Sequence, residues 1–294
     1  MDFLNGQTLL DCCKDRQLPI SEIMKLREIE IGHRTEAEIT GKLETIFEIM
    51  NDAAHTPLIS PQKSIGGLIG GEAQKIAAHR NTSASVCGST LSKAIAYSMA
   101  VLEINASMGL IVAAPTAGSS GILPGILLSM MEDHHRTKEQ LFSGLLNASA
   151  LGYLLMRNAS VSGAEAGCQA EVGAASAMAA SAIVEMMGGT PDMCLQSASI
   201  AMSNLLGLVC DPIAGLVEAP CQSRNAIGVA NALTCAELAL SGVTHPIPFD
   251  EMADSMYHVG RTLPFELRET AMGGNASTPT GCRLGCEICG NQSL

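Results

Sequence analysis

Residues 171–191 read EVGAASAMAASAIVEMMGGTP. From Glu171 to Met187 almost every residue is Ala, Ser, Met or Val, and no aromatic ring interrupts the run. Gly188-Gly189 stops it, and Thr190-Pro191 starts another element, with Thr as N-cap and Pro at the first helical position. A run of small residues between such signals predicts a helix against which other helices pack closely. The rest of the chain agrees: 47% of residues are hydrophobic, yet there is no Trp, aromatic residues make up 3%, and Gly numbers 29. Strands favour aromatic and β-branched side chains, so a β-sandwich is disfavoured. The expected fold class is all-α, a single compact helical domain with an N-terminal helical segment.

Working outward, Thr35-x-x-Glu38 and Thr137-x-x-Gln140 have the form of capping boxes. Ile39, Leu43, Ile46 and Met50 follow the first at helical spacing; Leu141, Leu145, Ala148, Leu151 and Leu155 follow the second. Short helices are expected over 71–81 and from Ser92 to Glu103. The helix begun at Thr190-Pro191 is expected to run towards Leu208 and to deliver Cys210 at its C-terminal end; further helices are placed at Asn225–Leu240 and Asp250–Val259. HTPLISPQ (55–62), with two prolines, marks a boundary. The resulting division is an N-terminal segment at 1–55, a main body at 63–281 and a Cys-rich tail at 282–294.

A formal charge of −12 and the lack of any Lys/Arg run argue against a nucleic-acid partner. The N-terminal MDFLNGQTLLDCCKDRQ has neither the basic start nor the apolar core of a signal peptide. The longest uncharged run, Ile104 to Met131, holds Pro115, Pro124 and four glycines, and is read as a buried loop and helix, not a membrane span. A cytoplasmic location is expected, in which the eleven cysteines are thiols or metal ligands and not disulfides.

Two groups of cysteines compete as a metal centre. Cys282, Cys286 and Cys289 have the C-x3-C-x2-C spacing of radical S-adenosylmethionine enzymes, but only five residues follow them, too few for the barrel that chemistry needs. Cys168, Cys210 and Cys221 lie among small residues or just before Pro or Gly, where a bulky group can approach the backbone. Their separations of 42 and 11 residues match no local ligand rule, and buried structural thiols account for them equally well.

Four stretches change that balance. APTAGSSGILP (114–124), GAEAGCQAEVGAASAMAA (163–180), NLLGLVCDPIAGLVEAPCQSRNAIG (204–228) and ETAMGGNASTPTG (269–281) resemble the α subunit of the iron–sulfur L-serine dehydratases, over about Lys63 to Gly281. The resemblance implies an all-helical catalytic domain and a [4Fe–4S] cluster held by Cys168, Cys210 and Cys221, with no pyridoxal phosphate. Three thiolates leave one iron open as a Lewis acid for a substrate hydroxyl. The implied reaction is removal of water from L-serine, after which the enamine tautomerises and hydrolyses to pyruvate and ammonia.

For the substrate carboxylate, the turn before the helix near Pro124 offers Thr116, Ser119 and Ser120. The second glycine-rich turn, KSIGGLIGG (63–71), offers Lys63 and Ser64, and Asn105 is a further candidate donor. Glu165, Glu171, Asp211 and Glu218 flank the cysteines as bases or capping groups, and Arg224 is set to pair with the substrate or with a neighbouring carboxylate. Tail residues Cys282, Cys286 and Cys289 are candidate donors of a fourth thiolate. Single-chain and β-subunit members of the family carry a Ser-Ser-His-Thr motif that is absent from this sequence. A β subunit is therefore expected to complete or regulate the site, and the Ala/Gly/Met-rich helical faces also suit homo-oligomerisation. Two other readings use the same residues: an L-cysteine desulfidase, and an iron–sulfur carrier. The ligand spread of 54 residues, which suits permanent burial, disfavours the carrier.

Overall fold

Local capping sets out the helices in the computed structural model, which describes residues 2–291. Helix α1 (Gly6–Arg16) starts where the Asn5 side chain accepts from Thr8 N at 2.8 Å. Pro19 gives α2 (Ile20–Glu30) no side-chain cap. The Glu185 carboxylate, 164 residues further on, accepts from Ser21 N at 3.3 Å instead. Thr35 and Glu38 form the expected reciprocal capping box of α3 (Glu36–Ile59).

Helix α3 runs into the stretch 55–62 and ends within it. Pro57 lies inside the last turn of α3 with its ring buried, and the chain leaves the helix only at Ser60. Ser60 precedes Pro61, which clashes with a helical neighbour and pushes it into an extended conformation (φ −128°, ψ 90°). Next come α4 (Glu72–His79), α5 (Gly88–Ala106), α6 (Ile122–Asp133) and α7 (Lys138–Asn158), the last capped by Thr137 and Gln140. A single turn, α8 (Gly163–Ala166), leads into a π-helical turn at Gln169–Gly173 and then α9 (Ala174–Met186). The run that opened the sequence is thus helical throughout, but its first residues are wound more widely. Helices α10 (Pro191–Asn204), α11 (Cys221–Leu240), α12 (Phe249–Thr262) and α13 (Pro279–Asn291) complete the chain. No strand forms among the described residues; one isolated bridge pairs Cys210 with Arg268.

Two helix ends correct the sequence reading, and both move a cysteine. Helix α10 stops at Asn204, so Cys210 lies in the following loop and not on a helix end. Helix α11 begins at Cys221, four residues before Asn225, with Pro220 as its N-cap. Pro279 starts α13, so 282–291 of the Cys-rich tail is helical, while residues 292–294 lie outside the described residues.

Every residue of α9 except Glu185 is buried, which marks it as the central rod of the molecule. It packs on α6, α7, α10 and α11. Phe3, Leu9, Ile20 and Ile23 are fully buried in the same apolar cluster, so α1 and α2 share the core of the main body. Close approach recurs where α6 meets α5. A Cβ on Gly125 would stand 2.8 Å from Ala94 O, and one on Gly121 would run into Ser98 O. Glycine there lets the two backbones touch and fixes the loop that leads into α6. No helix among the described residues is long and apolar enough to cross a membrane.

Candidate metal centre

Three segments converge where α8, the 205–220 loop and the start of α11 meet. Cys168 follows Gly167, whose φ of +75° reverses the chain between α8 and the π turn. A Cβ there would stand 2.8 Å from Leu208 O, so both conformation and space require glycine. Gln169 N donates to Leu208 O at 2.9 Å, tying the first segment to the second. Cys210 is pinned on both sides: its N–H donates to Leu267 O (2.9 Å) and its carbonyl accepts from Glu269 N (2.7 Å). Cys221 occupies the first turn of α11, where helix N–H groups favour negative charge.

The thiol sulfurs of Cys168 and Cys210 and a carboxylate oxygen of Glu171 lie within 4.8 Å of one another. Both thiols face Glu171 Oε2 at 3.9 Å, and Thr116 Oγ1 donates to Oε1 at 2.7 Å. Ser119 Oγ is 3.1 Å from Thr116 Oγ1. Cys221 is not part of this knot, but it is buried and its thiol responds to the charges of Cys168 and Glu171. Glycine keeps the space clear. A Cβ on Gly163 would come 3.1 Å from Cys210 Sγ and 2.5 Å from Glu171 Oε2, and one on Gly118 would come 3.1 Å from Glu171 Oε1.

Electrostatics follow from burial. Burial raises the Glu171 carboxyl above its ordinary value, and the Thr116 hydrogen bond only partly offsets this. The Cys210 thiol is pushed far up, first by its hydrogen bond with Cys168 and then by burial. Burial, followed by the charge of Cys168, raises Cys221. Arg224 is the cation that faces them. Its guanidinium donates to Cys168 Sγ at 3.3 Å, to Val209 O at 2.7 Å and to Asp211 Oδ1 at 2.6 Å. Burial works against its charge, but Cys168 and Asp211 outweigh it.

The other residues singled out from sequence divide clearly. Thr116 and Ser119 stand at the knot, whereas the Ser120 hydroxyl turns back to Ala117 O at 2.8 Å. Ser64 is buried and donates to Glu218 Oε2 at 2.6 Å, while Gly66 N and Leu68 N donate to the same carboxylate at 2.7 and 2.9 Å. The glycine-rich turn at 63–71 is thus an anion nest, and the chain's own Glu218 fills it. Lys63 is exposed. Asn105 lies half-buried in the last turn of α5, next to Ala106, whose carbonyl accepts from Ile65 N at 3.0 Å. Glu165 accepts from the Ser160 hydroxyl at 2.6 Å, and Asp211 is held by Arg224 and Asn275.

Cys282, Cys286 and Cys289 fall at i, i+4 and i+7 on α13 and are exposed, unlike the buried trio. Helix α13 packs on the 213–215 turn and, with Lys63, Gly66 and Gly67, lines a cavity of about 370 Å³.

One residue escaped the sequence reading. Asn225 is fully buried; it accepts from Gly121 N at 3.0 Å and donates to Gly118 O (2.7 Å) and Cys221 O (2.9 Å). It joins the Thr116 loop to the Cys221 turn. Its only sequence signal is an amide one helical turn after a cysteine.

The serine dehydratase alpha chain family matches residues 15–276. The chain is 45% identical over 288 residues to the probable L-serine dehydratase, alpha chain, of Bacillus subtilis, covering 98% of this chain and 96% of that one. It is 44% identical over 279 residues to the L-serine dehydratase, alpha chain, of Peptoniphilus asaccharolyticus, covering 95% and 96%. With the L-serine dehydratase TdcG of Escherichia coli it is 34% identical over 282 residues, which take in 94% of this chain but 62% of that protein. A buried thiol–carboxylate knot on an all-helical frame, and a match over nearly its whole length, place this chain in the serine dehydratase alpha chain family.

Proposed function

We propose that the chain is the α subunit of an L-serine dehydratase and that Cys168, Cys210 and Cys221 bind a [4Fe–4S] cluster. The observation that carries this reading is the meeting of Cys168 and Cys210, 42 residues apart in sequence, on the half-buried carboxylate of Glu171. The residues fit such a group. Three buried thiols supply soft donors, Gly163 and Gly118 leave the cradle that a Cβ would fill, and Arg224 offsets thiolate charge. When bound through three thiolates, the cluster supplies a Lewis acid that makes the substrate hydroxyl a better leaving group.

The chain's own groups do the rest. Thiols must lose their protons on ligation, and Glu171 Oε2 faces both Cys168 and Cys210 to receive them. Burial keeps that carboxyl ready to hold a proton. Thr116 orients Glu171, and Ser119 orients Thr116, so this loop is the favoured seat for the substrate carboxylate. The Ser120 hydroxyl is turned back on Ala117 O and Ser64 is engaged by Glu218, so Thr116 and Ser119 are preferred to Ser120, Lys63, Ser64 and Asn105 as substrate donors. A fourth thiolate from Cys282, Cys286 or Cys289 would come from α13, which packs on the 213–215 turn. A β subunit supplying a further proton-transfer group accords with the Escherichia coli relative, whose remaining length this chain does not span.

Anaerobic iron and sulfide analysis tests the reading. Wild type should take up both and release pyruvate from L-serine in the presence of its partner. Cys168→Ala, Cys210→Ala and Cys221→Ala should each lose most of the iron and the activity. Full iron in any one of them removes that cysteine from the ligand set. Faster release of pyruvate from L-cysteine than from L-serine would favour the desulfidase reading.

A further inference from the structure

One buried ion pair, Arg224 with Asp211, links every segment of the proposed metal centre. Asp211 follows Cys210 directly, and Arg224 lies three residues after Cys221 on α11. Their side chains are 3% and 13% exposed and meet at 2.6 Å. Asp211 is also held from the other side. Asn275 N and Nδ2 both donate to its Oδ2, at 2.7 and 2.8 Å. Gly274, at φ +59°, makes that grip feasible, since a Cβ there would run into the Asp211 carboxylate. With Asp211 held on both oxygens, Arg224 has one orientation, and in it Nη1 donates to Val209 O and to Cys168 Sγ. A buried salt bridge has to offset the cost of taking both ions out of water and is weak evidence of stabilisation in itself. Its geometry here has a different consequence: a fixed positive charge stands against one cysteine sulfur.

We propose that Arg224 is a positioning residue, clamped by Asp211 and the 273–275 loop so that its guanidinium fixes the Cys168 sulfur and sets the charge beside the cluster. This inference rests on the cluster assignment made above. Two effects follow. A donor to a ligand sulfur and a nearby positive charge both favour the reduced cluster, so losing them lowers the reduction potential. The planar fork also reaches Cys168, Val209 and Asp211 at once, which an ammonium cannot do, so Lys should keep the charge but lose the clamp.

The test uses the full chain with its partner, reconstituted anaerobically. Iron and sulfide per chain are measured, then the cluster midpoint potential by EPR-monitored titration, then the rate of iron loss to a chelator. Arg224→Gln should shift the potential to a lower value. Arg224→Lys should hold the potential closer to wild type but lose iron several-fold faster. If Arg224→Gln does not fold, the Lys variant carries the test alone. A wild-type rate of iron loss and an unchanged EPR signal in Arg224→Lys would overturn the inference, as would an unshifted potential in a loaded Arg224→Gln protein. Absence of iron from the wild type would overturn the cluster assignment as well, which separates the two failures.

Discussion

A single amide shows how the centre is held. Asn225 has no exposure to solvent and satisfies Gly121 N, Gly118 O and Cys221 O together. Replacement by Ala strands the Gly121 N–H and frees two carbonyls in the interior. Leaving a buried polar group unsatisfied costs about 1–3 kcal/mol. Asn225→Ala should therefore lower unfolding stability by about that amount and reduce iron uptake, since the Cys221 turn loses its tie to the Thr116 loop. Asn225→Asp keeps the acceptor for Gly121 N but sets its second oxygen against the Gly118 and Cys221 carbonyls in the interior, so its iron content should fall at least as far as that of Asn225→Ala. Denaturant unfolding and iron analysis of the three proteins read both effects, and wild-type iron in Asn225→Ala would show that the tie is dispensable. Cys168, Cys210 and Cys221 stand out in sequence because their neighbours match a known pattern, and all three are buried. Asn225 does not, because its partner Gly121 lies 104 residues away and an amide looks the same whether buried or exposed. Glu171 stood among four candidate carboxylates. Only the fold shows that Asp211 and Glu218 are occupied by other donors while Glu171 faces the thiols.

Helix α9 carries the packing. Its alanines are buried on every side because four helices lie against it, and small side chains set the distance at which they can do so. Such a core gains stability from the number of its contacts, each small, and has little room for a larger group. Ala180→Leu, at a fully buried position, should cost about 1–3 kcal/mol through overpacking. In thermal unfolding this reads as a loss of several degrees. An unchanged midpoint would mean that the neighbours of α9 can move apart. Element existence was legible at this scale: capping boxes, the Gly188-Gly189 stop and the Thr190-Pro191 start all act within a few residues. Element ends were less so. Pro57 was read as a break although its ring is buried at the end of α3, where helix termination needs only the next proline. The π-helical turn at Gln169–Gly173 has no local signal; it exists where α9 runs into the candidate metal centre, and such turns are frequent at functional sites.

Across the whole molecule, two sets of half-buried carboxylates respond to acid in opposite directions. Glu132 and Asp133 are held below their ordinary values: burial opposes this, but Lys93 bonds to both and prevails. Their contribution is present at neutral pH and is lost as pH falls through their depressed native values. Glu185 behaves the other way. Burial raises its carboxyl above 4.5, partly offset by Ser21 and Asn147, because it caps α2 from inside the core. The native state binds that proton before the unfolded chain does. Stability from this group therefore rises as pH falls through the raised native value, and the gain is complete below 4.5. Acidification from pH 7 thus mixes a gain with losses, and total stability cannot isolate either. The difference between wild type and Glu185→Gln can, since every other group is common to both. That difference should move in favour of wild type as pH is lowered towards 4.5 and then level off. Denaturant unfolding at a series of pH values measures it. A difference that stays flat would mean that the Glu185 proton is bound equally in both states, and that the carboxylate caps α2 at no electrostatic cost.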